Sequence, residues 1–283
     1  MRKYYIMMLV AGLYLSFIML SSCDKEDTRP DDMKKDFEAA ALLHTEAMEL
    51  CLEVLKKTSI TDEETLVQLI RETTSKYVGS NPGFMASPHE AEKSLHSEID
   101  RLVSFRKKVS NPNYKGDYTY NDYLIYTIHS FEEELSAEQY NLLLDINNIM
   151  ETHQAADVII PMLTQIKDVD CLALPVEERY VVYSVITIGI ESVDYWNENM
   201  EAWIDAVTDG DPDKAAEMHK WFNWGSVSNS DIAGAIGGAI GGAITGAVAG
   251  GIGAGPGALL GGCAGGIGSS AADATMQVIN HFF

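Results

Sequence analysis

The sequence predicts an all-α protein, in which an acidic helical bundle is followed by a C-terminal, glycine-rich antiparallel helical hairpin. Two observations predict this fold class. Apolar residues recur at helical spacing through the middle of the chain, and glycines recur every fourth residue near its end. Residues 181–190 have strand propensity, but the length of the apolar segment around them and the acidic residues on both sides favour a helix.

Several helices of the middle region begin at recognisable capping residues. Thr61 can cap a helix while Glu64 closes a capping box, and Ser87 precedes Pro88 at a favoured first helical position. In chain order, the predicted helices cover residues 37–57, 61–77, 88–109, 123–135, 136–153, 158–169, 176–207 and 212–222. They make up a predicted helical domain at residues 37–224, which follows an acidic tether at residues 23–36.

The C-terminal segment has the pattern of a glycine zipper. The forty-one residues between Asp231 and Asp273 carry no charge, and sixteen of the 23 glycines lie within residues 234–268. Residues four apart share one face of a helix, where glycine lets a second backbone approach closely. The predicted packing glycines are Gly234, Gly238, Gly242, Gly246, Gly250, Gly257, Gly261 and Gly265.

A bilayer is the predicted setting of this hairpin. Each glycine costs a helix in water about 1 kcal/mol relative to alanine, whereas hydrocarbon favours any helix because unpaired backbone groups are costly there. Residues 232–252 form a helix of about 31 Å, which matches a hydrocarbon core of about 30 Å. The predicted turn lies at residues 253–257, and the return arm at residues 257–272 reaches only about 24 Å.

Aromatic residues at both ends of the hairpin are typical of a membrane interface: Trp221, Phe222, Trp224, Phe282 and Phe283. We therefore predict a glycine-zipper membrane hairpin at residues 231–283. A low-complexity tail and a hairpin buried in a soluble protein are the alternatives.

The N-terminal segment has the three parts of a secretory signal: a basic start, an apolar stretch at residues 4–20, and a short cleavage region. The residues from Leu20 to Cys23 resemble a bacterial lipobox, which implies a signal peptide at residues 1–22 and lipidation of Cys23. The acidic patch at residues 24–27 resembles the surface-export signal of some Bacteroidetes lipoproteins. Asp24 alone would instead suggest retention at the inner membrane.

Together, the lipobox and the glycine-rich run resemble bacterial envelope lipoproteins with a glycine-zipper, two-transmembrane module. This resemblance implies a location in the cell envelope, at the outer membrane or the cell surface. It also implies contact with membrane lipid through Cys23 and the hairpin. Close packing of zipper glycines further predicts a homo-oligomer.

Charge and cysteine content narrow the possible partners. The formal net charge is −22, which argues against nucleic acid as a partner and against an anionic lipid surface as a partner of the body. Of the four cysteines, Cys23 is assigned to lipid and Cys263 lies within the zipper. Cys51 and Cys171 either pair in an oxidising envelope or remain free thiols.

No catalytic motif is complete, so we predict neither enzymatic activity, nor a cofactor, nor a metal site. His89-Glu90 begins like a zinc-protease motif, but Lys93 stands where the second histidine would be required. His89, Glu92, His96 and Asp100 share one helix face, which is more typical of a solvated polar face than of a weak metal site. The tyrosines of residues 114–126 indicate either a carbohydrate or peptide surface or, in the simpler interpretation, a loop packed on the bundle.

Two functions follow from these patterns. The first is a non-enzymatic outer-membrane or surface lipoprotein that displays its helical domain, while the hairpin mediates membrane association or oligomerisation. The second is a membrane-active protein, similar to bacteriocins or helical-hairpin toxins, whose body covers the hairpin until it meets a target bilayer.

Overall fold

The computed structural model describes residues 30–58, 62–85, 87–248 and 253–282, and it confirms the all-α class. These ranges contain ten α-helices, two 3-10 turns (Pro82–Phe84 and Asp170–Ala173) and no strand. The helices are α1 Pro30–Leu55, α2 Glu63–Ser80, α3 Pro88–Val109, α4 Tyr123–Ser130, α5 Ala137–Thr152, α6 Ala156–Asp168, α7 Val176–Val207, α8 Pro212–Met218, α9 Trp224–Val248 and α10 Ala254–Phe282. Cys23 and the predicted signal peptide lie outside the described residues.

Local capping sets several of the helix ends. The Ser136 hydroxyl accepts a hydrogen bond from the Gln139 backbone N–H, and the Gln139 side chain accepts one from the Ser136 backbone N–H, which completes a capping box for α5. Asp62 caps α2 by accepting from the Thr65 backbone N–H, whereas Thr61, the predicted cap, lies outside the described residues. Helix α1 begins at Pro30, so residues 30–36 are helical and not the predicted tether.

Helices α9 and α10 form an antiparallel hairpin at the centre of the bundle. Apart from Asn229, residues 226–240 are buried, and so are residues 257–279. Helices α1, α3 and α7 make the main contacts around this pair, and α2 and α4 add further contacts. The hairpin therefore supplies the core against which the outer helices place their apolar faces.

The hairpin gives the bundle two distinct ends. We call the end at which α9 and α10 are connected the turn end, and the end at which α9 begins and α10 finishes the open end. Both α1 and α7 run from the turn end to the open end. Phe37 of α1 stacks on Tyr180 of α7 near Gly255, and further along the same two helices His44 and Ser192 contact Asp231.

The predicted turn at residues 253–257 is wrong. Helix α10 begins at Ala254, so Gly255, Pro256 and Gly257 lie in its first turn, where a proline costs no helical hydrogen bond. Gly253 has a φ of +81°, a left-handed conformation that favours glycine at the residue before the helix.

The structure also differs from the prediction of a membrane span. Within the described residues, no helix is long and apolar enough to cross a membrane. Within the predicted membrane hairpin of residues 231–283, the described residues 231–240 and 257–279 are buried among the other helices, which agrees with the buried alternative and not with a bilayer-embedded pair. Neighbouring helices supply the packing that favours these glycine-rich helices, and short Gly and Ala side chains let three helices approach them at once.

Two of the aromatic residues before the hairpin, Trp221 and Phe222, pack on the protein. The Trp221 ring stacks on His281 with a centroid distance of 3.9 Å, and Phe222 lies 6.1 Å from Trp196. The side chain of Phe282 and the whole of Phe283 lie outside the described residues.

Candidate functional site

The zipper glycines form the contact between the two arms. Gly234 faces Gly265, Gly238 faces Gly261, and Gly242 faces Gly257, and in each pair an added Cβ would overlap the opposite carbonyl oxygen. Gly246 faces Gly253 in the same way. Gly250 lies outside the described residues. This glycine face is used within one chain, which explains the four-residue spacing without a second copy.

Side-chain hydrogen bonds to backbone carbonyls join the outer helices to the hairpin. The Ser94 hydroxyl donates to the Gly261 carbonyl at 2.9 Å, and the Ser184 hydroxyl donates to the Ala258 carbonyl at 3.3 Å. The Cys263 thiol donates to the Ala40 carbonyl at 3.2 Å. These contacts connect α1, α3 and α7 to one arm and fix how the outer helices lie on it.

The first acid that bounds the charge-free run is completely buried between three helices. Asp231 Oδ2 lies 3.2 Å from His44 Nε2 of α1, and it accepts a hydrogen bond from the Ser192 hydroxyl of α7. Trp196 Nε1 donates to the same oxygen at 3.3 Å. Burial raises the pKa of Asp231, and the nearby His44 opposes that rise. Because Ser192 contacts the carboxylate and the whole cluster is inaccessible, it is a structural network and not a hydrolytic triad.

The second acid that bounds the run is buried against an arginine. Asp273 Oδ1 accepts a hydrogen bond from Arg106 Nη2 of α3 at 2.5 Å, and its Oδ2 accepts from the Ser226 hydroxyl at 3.1 Å. The Arg106 guanidinium lies 3.8 Å from the centroid of the Tyr120 ring. Sequence reasoning missed both networks. The sequence feature that could have indicated them is that Asp231 and Asp273 are isolated acids at the two ends of an uncharged run. An acid that is buried with such a run needs a buried hydrogen-bonding or charged partner.

Glu98 of α3 is a third buried acid beside the zipper. Its side chain is 2% exposed, and Arg101 Nη1 donates to Glu98 Oε2 at 3.0 Å. Burial raises the pKa of Glu98 to about 7, and the neighbouring Arg101 opposes the rise. A glutamate in this setting exchanges a proton near neutral pH while lying against Gly237 and Gly265.

The histidine-rich face of α3 is used in side-chain contacts. His96 Nε2 lies 2.7 Å from the Ser75 hydroxyl, and Asp100 pairs with Arg71 at 2.8 Å. Across the described ranges, no group of three or more His, Cys, Asp or Glu side chains is placed to hold a metal ion.

The tyrosine-rich segment packs on the bundle through its aromatic rings. Tyr118, Tyr123 and Tyr126 surround Phe105 with centroid distances of 4.7–6.5 Å, and Tyr123 is buried. In the part of the chain that the structure describes, Cys51, Cys171 and Cys263 are buried free thiols, so Cys51 and Cys171 do not pair.

A cavity of about 640 Å³ lies at the open end, where α9 begins. It is bounded by the residues before α4, by the end of α5 and the segment after it, and by the connection from α8 into α9. Its lining residues are Asn121, Asp122, Met150, Glu151, His153, Gln154, Ile159, Lys220, Trp221, Phe222, Asn223, Trp224, Gly225, Ser226 and Asn229. The volume lies within the range of about 300–1,000 Å³ that is usual for small-molecule sites.

Contacts of the α8–α9 connection hold one wall of the cavity in place. The Asn223 backbone N–H donates to Gln277 Oε1 of α10 at 2.8 Å, and Asn223 Oδ1 accepts from the Ser226 backbone N–H at 3.1 Å. Trp221 is held by its stacking on His281. This open-end cavity is thus built directly on the base of the hairpin, and it is the candidate binding site.

Comparisons with known proteins add no assignment: no protein-family model matches the chain, and neither a curated protein nor a solved structure is significantly similar to it.

Proposed function

We propose that the protein is a lipid-anchored, non-enzymatic bacterial envelope protein that displays its helical body, with the turn end against the membrane and the open end directed away from it. Cys23 is the proposed lipid attachment point, as the lipobox residues Leu20 to Cys23 indicate. In this proposal, the lipid on Cys23 and the turn end of the helical body contact the same membrane.

The observation that carries this proposal is that four of the eight exposed large apolar side chains of the described residues lie together at the turn end. Val169 (52% exposed), Leu172 (50%), Val176 (45%) and Ile244 (53%) all lie there. Val176 begins α7, one turn before Tyr180, which contacts Gly255. Ile244 lies between Gly242 and Gly246, the last zipper pairs before the turn. Exposed apolar groups on one surface are typical of a membrane or protein contact.

The start of the helical body lies at the same end. Lys34 Nζ in the second turn of α1 pairs with Asp168 Oδ1 at 2.8 Å, and Val169 follows that aspartate directly. Pro30 is only seven positions after Cys23, and an extended chain spans at most about 3.6 Å per residue. A lipid on Cys23 would therefore keep the turn end within roughly 25 Å of the bilayer.

The hairpin has a different role in this proposal from the one predicted from sequence. It forms the core of the displayed body, while the acyl chains and the turn end supply membrane contact. Gly238 and Gly261 already contact each other within one chain, so these zipper glycines are not free to contact a second copy. Oligomerisation through the zipper stays a prediction.

Vesicle flotation tests the proposal. The full chain produced with and without lipid on Cys23 (Cys23→Ser) is mixed with phosphatidylcholine vesicles, together with a lipidated Leu172→Ser, Ile244→Ser double variant. We expect the lipidated protein to float, the Cys23→Ser protein to float at least tenfold less, and the double variant to show intermediate flotation. A matched surface control is Val158→Ser on α6, which lies away from the turn end and should float like the parent. Equal flotation of the Cys23→Ser protein would refute the lipid anchor.

A membrane-active role is the second candidate, and one observation favours it: residues 232–240 and 257–272 of the uncharged run are enclosed by the other helices, as expected for a hairpin that stays covered until release. Dye release from the same vesicles distinguishes the two functions. A lipid-anchored protein leaves the vesicles intact, whereas a hairpin that inserts into the bilayer releases the dye. Dye release should then stop when a covalent cross-link joins α9 to α10.

A further inference from the structure

We infer that the open-end cavity binds a neutral saccharide of one or two hexose units. The cavity has an apolar wall formed by Trp221, Phe222 and Trp224. Trp221 is oriented by stacking on His281, with 9° between the ring planes. The Trp224 indole is partly exposed and makes no hydrogen bond with the described residues. Flat indole surfaces favour the C–H face of a sugar ring, because they supply apolar contact with little loss of side-chain entropy.

Primary amides also line the cavity. Asn229 Oδ1 is buried and accepts no hydrogen bond from the described part of the chain. A buried acceptor without a hydrogen bond destabilises the protein, so a donor from a bound molecule would be favoured there. Asn121 and Gln154 also line the cavity, and their amides make no hydrogen bonds with the residues described. An amide both donates and accepts, which suits the hydroxyl groups of a sugar.

The charges around the cavity argue against an ionic ligand. Asp122 and Glu151 contribute two acidic groups, while Lys220 contributes a basic one. The Lys220 ammonium is already paired with Glu217 at 2.5 Å, and Asp122 Oδ2 accepts from the Thr119 backbone N–H at 2.6 Å. A phosphate-bearing ligand would meet carboxylates with no unpaired lysine to balance it. A neutral polar ring with one apolar face fits both the wall and the amides.

The probes are glucose, galactose, N-acetylglucosamine and maltose, with glucose 6-phosphate and glucosamine as charged counterparts and trialanine as a peptide. Binding to the full chain is measured by saturation-transfer NMR and by tryptophan fluorescence. We expect at least one neutral sugar to bind with a Kd in the millimolar range, and both charged sugars to bind less tightly.

Two variants locate the site. Trp224→Ala should weaken sugar binding at least tenfold, and Asn229→Leu, which keeps a similar branched shape but removes the acceptor, should weaken it about fivefold. Leu172→Ser, at the opposite end of the bundle, should leave the affinity unchanged. Thermal melting of each variant establishes that it is folded, and Trp224→Phe should retain part of the binding.

Four outcomes would overturn the inference: no binding of any sugar at 10 mM, tighter binding of a charged sugar, binding of trialanine alone, or sugar binding that survives in both folded cavity variants. None of these outcomes depends on Cys23, so a failure of the saccharide site is distinguishable from a failure of the lipid anchor.

Discussion

At the scale of single residues, the buried acids beside the zipper determine how stability responds to pH. Glu98 has a folded-state pKa of about 7, which is above its ordinary value of 4.5 because burial disfavours the carboxylate. Its stabilising contribution is therefore complete below pH 4.5 and is lost as pH rises through 7. We expect the free energy of unfolding to fall by up to about 3 kcal/mol between pH 5 and pH 8. Urea denaturation at several pH values measures this change.

The Glu98→Gln variant tests whether that carboxyl is responsible. Glutamine keeps the side-chain size and removes the titration, so most of the fall in stability between pH 5 and pH 8 should disappear. The exposed Glu133→Gln variant is the matched control and should keep the slope of the parent protein. Burial also raises the pKa of Asp231 and of Glu191, so both contribute to a remaining slope with the same sign. A Glu98→Gln protein with the full parental slope would contradict the assignment.

At the scale of elements, two adjacent glycines in α9 allow two effects on stability to be measured separately. One effect is the close packing of the two arms, and the other is the low helix propensity of glycine. A Cβ on Gly242 would overlap backbone atoms of Gly257, which cannot move aside, whereas a Cβ on Gly241 meets nothing within 4 Å. Gly242→Ala should therefore lose about 2–3 kcal/mol through overpacking, and Gly241→Ala should gain up to about 1 kcal/mol from helix propensity. Thermal and urea unfolding measure both. Equal effects at the two positions would contradict close packing of the arms.

Helix elements were largely readable from local sequence signals. Pro88 and Ser136 mark helix starts because their chemistry acts within one turn, and α3 and α7 have the predicted bounds. The setting of the hairpin was not readable, since an uncharged glycine–alanine run has the same local pattern whether lipid or protein surrounds it. The partners of Asp231 and Asp273, namely His44 and Arg106, lie more than a hundred residues away along the chain, so no local pattern joins them.

The open-end cavity could not be predicted from the sequence either. Its residues come from three separate segments, and only the fold brings Asn121, Gln154 and Trp224 to one place. The position of Trp221, Phe222 and Trp224 before an apolar run predicts a membrane interface. In the structure, the same rings serve as a cavity wall and as packing against α10.

At the scale of the whole molecule, the helices separate the turn end, which has exposed apolar side chains, from the open end, which has the cavity. The sixteen residues from Tyr180 to Trp196 rise about 24 Å along α7. Tyr180 lies at the turn end beside Gly255, and Trp196 contacts Phe222 in the cavity wall. A body seated on the membrane by its turn end would therefore hold the cavity a few tens of ångströms above the surface. The net charge of −22 also favours this orientation, because an acidic body that lay flat would be repelled by anionic lipid.

Fluorescent labels at the two ends test this orientation. A bimane label on Leu172→Cys should be quenched by aqueous iodide in solution and several-fold less once the lipidated protein is on phosphatidylcholine vesicles. A label on Gln154→Cys, beside the cavity, should be quenched equally in both conditions, because that end stays in water. The native thiols Cys51, Cys171 and Cys263 are buried and should react slowly with the label, which the unsubstituted protein measures directly. Equal shielding of both labels would mean that the body lies flat, and shielding of Gln154→Cys alone would reverse the proposed orientation.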